Sequence, residues 1–211
     1  MIDAALGIAD REGLEVLSMP RLARELGCGT MTLYDYVRDK GDLLDAVAQR
    51  GLEGLRLERP LPSSATGVLE AWGRALRSRL LEHPALASIF LSRPVMGEGI
   101  VRGVELLLGA LQRAGMGPAA AVRAVYAVLI YTTGFVAWEI PRTRRQPPSA
   151  YSGAWEALLE SLPPGSTPLA SKSRSELFRV AGECQFVAGL TALASGLSSA
   201  DSSRTGGNGR R

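Results

Sequence analysis

The chain reads as an all-α protein, and three features say so. Apolar residues recur at three- and four-residue spacing from Ile2 to Leu197, no stretch alternates like a strand, and Gly, Pro and Ser gather between the periodic segments. With 211 residues and 46% apolar content, there is enough chain for a small N-terminal helical domain joined to a larger one.

Ile2, Ala5, Leu6 and Ala9 share one helical face, so a first helix runs to about Arg11 and Gly13 ends it. No basic arm precedes it, which suggests a start set a few residues late. Ser18 is a natural N-cap for a second helix over Met19–Leu26, and Pro20 suits the first turn, where its missing N–H would have no partner. A Gly27-Cys28-Gly29 corner leads to a third helix, Thr30–Val37, and Leu22, Ala23, Leu26, Leu33 and Val37 face inward. Asp39 and Asp42 have capping-box spacing, and Leu44, Val47, Ala48, Gly51, Leu52 and Leu55 form the stripe of a fourth helix.

Arg59-Pro60-Leu61-Pro62-Ser63-Ser64 interrupts the periodicity and divides the chain. Val68, Leu69, Trp72, Leu76 and Leu80 then mark a fifth helix, and Pro84–Leu91 a short sixth. Ile100, Val101, Val104, Leu107, Leu108 and Leu111 mark a seventh, stopped at Gly115. Pro118 opens a long eighth helix to about Ile140, apolar nearly all round; its run Ala124–Trp138, between Arg123 and Glu139, is short for a membrane span and reads as a core helix. Arg142–Ala150 reads as an exposed loop with its arginines solvated, Trp155–Leu162 as a short ninth helix, and Leu177–Leu197 as a tenth. On that tenth helix Val180, Ala181, Cys184, Val187 and Leu190 face inward, and residues 198–211, rich in Ser, Gly and Arg, read as a disordered tail. The domains are therefore 1–56 and 57–197, with the tail beyond.

Two short helices around a glycine corner form a helix-turn-helix, whose second helix is sized for the DNA major groove. Its outward residues Thr30, Met31, Thr32, Tyr34 and Tyr36 offer hydroxyls and aromatic faces to phosphate oxygens and base edges. Bulk charge adds nothing to this: the whole chain carries +3, but residues 1–56 hold seven basic side chains against ten acids, a net −3. The electrostatic case rests on placement, with Arg21, Arg24, Arg38 and Lys40 flanking the second helix of the motif.

These residues resemble the tetracycline-repressor (TetR) family of bacterial transcription regulators. The resemblance is strongest over Ala4–Leu55: Leu22-Ala23, Leu26-Gly27, Thr32-Leu33-Tyr34, Val37, Lys40 and Leu43-Leu44. Beyond it, His83-Pro84, Leu91-Ser92-Arg93-Pro94, the helix end before Gly115 and Tyr131-Thr132-Thr133-Gly134-Phe135 resemble the family's C-terminal domain. The resemblance implies a cytoplasmic homodimer, built through the eighth and tenth helices, that binds double-stranded operator DNA and responds to a small effector enclosed by helices five to eight. It puts Thr30 and Met31 at base edges and Thr32, Tyr34, Tyr36 and Lys40 at phosphates, with Ser18 and Arg21 beside them. Pro20 stands where the tetracycline repressor reads guanine with arginine, Asp35 replaces an aromatic, and Phe90 takes the place of that repressor's metal-binding histidine. The expected effector is therefore apolar or aromatic, with no metal or cofactor, lined by Trp72, Phe90, Met96, Tyr131, Phe135 and Trp138.

The chain's single histidine, His83, sits at a helix boundary and reads as a turn or capping residue. Cys28 has no neighbouring histidine to activate it and reads as a small packing residue, and the two cysteines form no disulfide framework, which fits a reducing cytoplasm. No nucleophile–base pair or phosphate-cradling loop is present, which argues against an enzyme. A helical adaptor that binds a protein partner through the eighth and tenth helices is the alternative class.

Overall fold

The computed structural model describes residues 1–143, 148–163, 165–177 and 182–206, and among these every regular element is a helix. The N-terminal head comprises α1 (Ile2–Glu12), α2 (Met19–Leu26), α3 (Thr30–Tyr34) and α4 (Lys40–Leu52). The body comprises α5 (Ala65–Glu82), α6 (Pro84–Ser92), α7 (Glu98–Arg113), α8 (Pro118–Thr143), α9 (Pro148–Ser161), α10 (Pro168–Lys172), α11 (Arg174–Leu177) and α12 (Glu183–Gly206). In the head, Leu6, Ile8, Leu17, Leu22, Leu33, Leu43 and Val47 close one core. In the body, α5, α8 and α12 pack on one another, and α6 and α7 lie against α8. Val68, Leu69, Trp72, Leu76 and Leu80 of α5 are buried, as their spacing predicts.

Local chemistry sets the boundaries. Ser18 Oγ accepts the Arg21 N–H and Ser64 Oγ the Gly67 N–H, each satisfying a donor at a helix start. Asp39 Oδ1 accepts the Asp42 N–H at 2.8 Å, but the return bond of the capping box goes one residue earlier, from Arg38 N–H to Asp42 Oδ2. Gly27, at φ 65, gives α2 the left-handed end that turns the chain toward α3.

Several expectations need correction. The third helix ends at Tyr34, not Val37, because Asp39 is fully extended to cap α4 and the chain must unwind before it. Leu26 is exposed: it is the last residue of α2 and projects past the edge of the head core. Leu55 lies beyond the end of α4, and Val101 faces solvent on α7. The loop expected from Arg142 is helical to Thr143, with Arg142 Nη1 donating to the Trp138 carbonyl at 2.7 Å among the carbonyls left free at the helix end. Helix α9 then starts at Pro148, well before Trp155; Arg144 and Arg145 lie outside the described residues.

The expected tenth helix is divided. Leu177 ends α11, and Gly182, at φ 139, holds a backbone conformation that stops a continuous helix. With α12 starting afresh, its inward face is Phe186, Leu190 and Ala194, and Cys184 points outward; Val180 and Ala181 fall outside the described residues. The stretch from 198 to 206, expected to be disordered, continues α12. Thr66 Oγ1 donates to Ser198 Oγ, and Asp201 Oδ2 accepts the Gly117 N–H at 2.8 Å, so tertiary contacts override a polar composition.

Candidate nucleic-acid interface and effector region

Helix α3 is held to the head by a single apolar side chain. Leu33 is buried, while Met31 and Tyr36 are 77% and 74% exposed and Tyr34 and Thr32 also face solvent. Thr30 is half-buried at the helix start, and Lys40, exposed, opens α4 beside it. Cys28 is exposed in the corner between α2 and α3, not packed as expected.

The cations around this helix are not equally free. Arg21 donates from Nε to Glu12 (3.1 Å) and from Nη1 to Glu25 (2.9 Å), and a further short bond joins Nη2 to Glu12. These two carboxylates hold its guanidinium protonated more firmly than usual, and hydrogen bonds from Arg21 draw both glutamates below the usual carboxylate range. Arg38 is likewise engaged by Asp42. Among the described residues, Arg24 and Lys40 make no ion pair, so of the cations flanking this helix these two are not held by a carboxylate. Ser18 spends its hydroxyl on the cap of α2.

The head is fastened to the body at both ends of α6. At its start, Asp10 Oδ1 accepts the Ala85 N–H at 3.0 Å and Asp10 Oδ2 lies 2.8 Å from His83 Nδ1. His83 is thus a joint between domains, a finer role than the turn residue its position suggests. At the other end Arg93 Nη2 donates to Asp45 Oδ2 of α4 at 3.2 Å, and a short bond joins Arg93 to the Gly41 carbonyl. Between them, Gly51 of α4 meets Leu86 of α6 so closely that a Cβ at Gly51 would lie 2.5 Å from the leucine side chain. The start of α6 is thus tied to α1 and its end to α4.

The residues expected to line an effector cavity are brought together only in part. Tyr131 and Phe135 lie against Phe186, with ring centroids 5.6 and 5.3 Å from it, and the Tyr131 hydroxyl donates to the Phe186 carbonyl at 2.9 Å. Burial pushes the Tyr131 phenol up, partly opposed by Arg77. Trp72 is in the core and Phe90 at its margin, but Met96 is 69% exposed on the segment leading to α7. Trp138 turns its ring outward under Arg142, whose guanidinium carbon is 3.8 Å from the ring centroid.

Sequence reading missed the polar part of this region. Arg77 of α5 makes a two-pronged pair with Glu139 of α8, Nε to Oε2 at 3.0 Å and Nη2 to Oε1 at 2.6 Å, with side chains only 11% and 5% exposed. Burial disfavours the Arg77 charge, yet the Glu139 and Glu183 carboxylates outweigh that and keep it protonated. Thr132 and Thr133 are buried with hydroxyls that have no partner. The legible signal was a charge inside an apolar stripe: Arg77 among Gly73, Leu76 and Leu80, and Glu139 among Val128, Thr132 and Val136.

By length and composition α8 could cross a membrane, with mean hydropathy 1.6 over Pro118–Arg142. It packs instead against α5, α6, α7 and α12 and buries Glu139 in an ion pair, the behaviour of a core helix.

A helix-turn-helix head with its outward side chains free, joined to an all-helical body, defines a DNA-binding regulator of the two-domain helical class. Residues 1–47 match the family described as bacterial regulatory proteins, tetR family, and residues 64–200 match the tetracyclin repressor-like C-terminal domain. The chain belongs to the TetR family. It is 37% identical over 141 residues to the HTH-type transcriptional repressor DrrR1 of Streptomyces coeruleorubidus, covering 64% of this chain and 50% of that protein. An HTH-type transcriptional regulator of Saccharopolyspora erythraea is 33% identical over 139 residues, covering 66% and 59%. The chain thus spans little more than half the length of these relatives. Among solved structures, apo ActR from Streptomyces coelicolor superposes with a TM-score of 0.82 at 27% identity, covering 96% of this chain and 95% of ActR. ActR in complex with actinorhodin gives 0.83 at 28% identity, with 95% and 94% covered.

Proposed function

We propose that this chain is a ligand-responsive transcriptional repressor that binds a palindromic operator as a homodimer in the cytoplasm. The observation that carries it is the exposed outer face of α3 and of the turn after it, with Met31, Tyr34 and Tyr36 in solvent around the buried Leu33. In the complex, Thr30 and Met31 meet base edges, Thr32, Tyr34, Tyr36 and Lys40 meet phosphates, and Arg21 and Ser18 steady the start of α2. Two such heads enter successive major grooves ~34–36 Å apart. The head takes in roughly residues 1–56 and the effector and dimerisation domain the helices beyond it.

The second copy is proposed to seat on α8 and α12. Val122, Tyr126 and Ile130 form an exposed apolar stripe on α8, and α12 beside it shows Cys184, Ala188 and Ala192, small enough for close helix approach. The effector is proposed to be a small aromatic molecule bound without metal or cofactor near Phe90, Tyr131 and Phe135; ActR, solved in complex with actinorhodin, supports a bound effector as such. It releases DNA only by binding more tightly to the conformer whose heads are wrongly spaced. No catalytic role is proposed.

Gel shift with DNA from the adjoining promoter tests the reading. Tyr34→Ala weakens operator binding while circular dichroism and sedimentation show an intact dimer. If Tyr34→Ala and Lys40→Ala both bind as wild type does, the roles given to α3 are wrong.

A further inference from the structure

Residues 29–37, which hold α3 and the positions on either side of it, include no Arg, Lys, Asn or Gln. Those are the side chains whose paired groups tell bases apart, Arg and Lys for guanine, Asn and Gln for adenine. The hydroxyls of Thr30, Thr32, Tyr34 and Tyr36 both donate and accept, so they suit a phosphate or a base edge without choosing among bases. The cations nearby stand on other elements: Arg21 and Arg24 on α2, Arg38 ahead of α4 and Lys40 at its start. Arg21 and Arg38 are also held by carboxylates.

Two side chains are left with a preference. Asp35 suits the cytosine amino group, but it lies past the last residue of α3, as its C-cap. Met31 is the second residue of α3 and 77% exposed. At about 100° per residue it stands about 160° round the helix from the buried Leu33, which makes it the outermost side chain of α3.

We infer that α3 reads its operator through the 5-methyl group of thymine, with Met31 as the side chain that selects it. The inference rests on the reading of this chain as an operator-binding repressor, and it specifies the base group that Met31 meets. A helix-turn-helix contacts base edges with the first residues of its second helix, where Met31 lies. In the major groove thymine shows a methyl group, whereas guanine, adenine and cytosine show donors and acceptors. A thioether donates nothing and accepts only weakly. It therefore gains contact against thymine and leaves a polar group unpaired against another base. Burying one methyl group against Met31 gives about fourfold in affinity, and about fifteenfold over the two half-sites of a dimer.

The test is fluorescence anisotropy of the full-length chain on the adjoining promoter fragment, end-labelled and amplified with dTTP or with dUTP. Uracil lacks the methyl group and keeps every hydrogen-bonding group of thymine. A third fragment, amplified with 7-deaza-dGTP, removes the guanine N7 acceptor. Wild type binds the uracil fragment about fifteenfold more weakly than the thymine fragment, and 7-deazaguanine costs much less. Met31→Ala, at an exposed position, binds the thymine fragment less tightly and loses most of the uracil penalty, while Met31→Leu keeps it. Equal wild-type affinity for thymine and uracil DNA, a uracil penalty that Met31→Ala keeps in full, or a larger penalty from 7-deazaguanine overturns the inference. In those cases tight binding of the thymine fragment leaves the repressor reading standing. A chain that binds the promoter no better than unrelated DNA of the same length overturns both.

Discussion

Arginines do different work in the head and in the body. In the head, Arg21, Arg38 and Arg50 pair with Glu12, Glu25, Asp42, Asp3 and Glu53 at the surface, where each pair is partly or largely open to solvent. In the body, Arg77 of α5 pairs with the buried Glu139 of α8 and also bonds Glu183 at the start of α12. A surface pair is screened and exchangeable, whereas a buried pair is costly to break and fixes how its helices pack. The head's surface pairs are thus open to exchange, while the body's buried pair fixes how its helices pack.

Breaking the buried pair is the strongest challenge to this contrast. Glu139→Gln or Arg77→Met breaks the two-pronged pair at a buried site and destabilises the protein by about 3–5 kcal/mol in urea unfolding. The double variant Arg77→Met, Glu139→Leu recovers most of that loss, because no charge is left stranded. A double variant no better than the singles would mean that the pair adds net stability, contrary to the role given it.

The seam between the two regions gives a smaller effect. In Gly51→Ala the new methyl meets the buried Leu86 side chain, so α4 and α6 must part by a few tenths of an ångström or more. Overpacking of this kind costs about 1–3 kcal/mol. Because α4 carries Lys40 beside α3, operator affinity falls as well. Stability lost with operator affinity unchanged would show that α6 and the DNA-binding face are not mechanically joined.

What the sequence disclosed follows the range of the forces involved. Caps and turns act over three or four residues, so Ser18, Gly27, Asp39 and Ser64 were readable, and with them the helix-turn-helix. Amphipathic stripes gave α5 its buried face because one repeated residue type determines one side of a helix. Phase failed where a helix began elsewhere than its stripe suggested: starting at Leu177 instead of Glu183 turned Cys184 inward and hid Phe186. The body's polar contacts were out of reach, since Arg77 and Glu139 are 62 positions apart and Arg77 and Glu183 106 apart. For the same reason Met96 and Trp138 were placed on a cavity wall by residue type alone, though both are exposed.

The head's partnered cations also limit how strongly salt should weaken DNA binding. If only Arg24 and Lys40 meet phosphates, a dimer engages four, and log K falls against log salt with a slope of about −4. Lys40→Ala lowers that slope by about one per subunit, measured by anisotropy across a salt series. A much steeper wild-type slope would show that Arg21 and Arg38 abandon their carboxylates on DNA.

The smallest expected effect concerns those carboxylates without DNA. Hydrogen bonds from Arg21 lower the pKa of Glu12 and Glu25 in the folded head from their ordinary 4.5. A folded-state value below the unfolded one contributes stability at pH above 4.5, and that contribution is lost as pH falls through the lowered value. Thermal midpoints recorded from neutral pH downward therefore decline more steeply below that point in wild type than in Arg21→Met, where both glutamates have lost their main partner. Parallel curves would mean that the carboxylates meet Arg21 equally well in the unfolded chain, and that the head's surface pairs are held in readiness for DNA without adding to its stability.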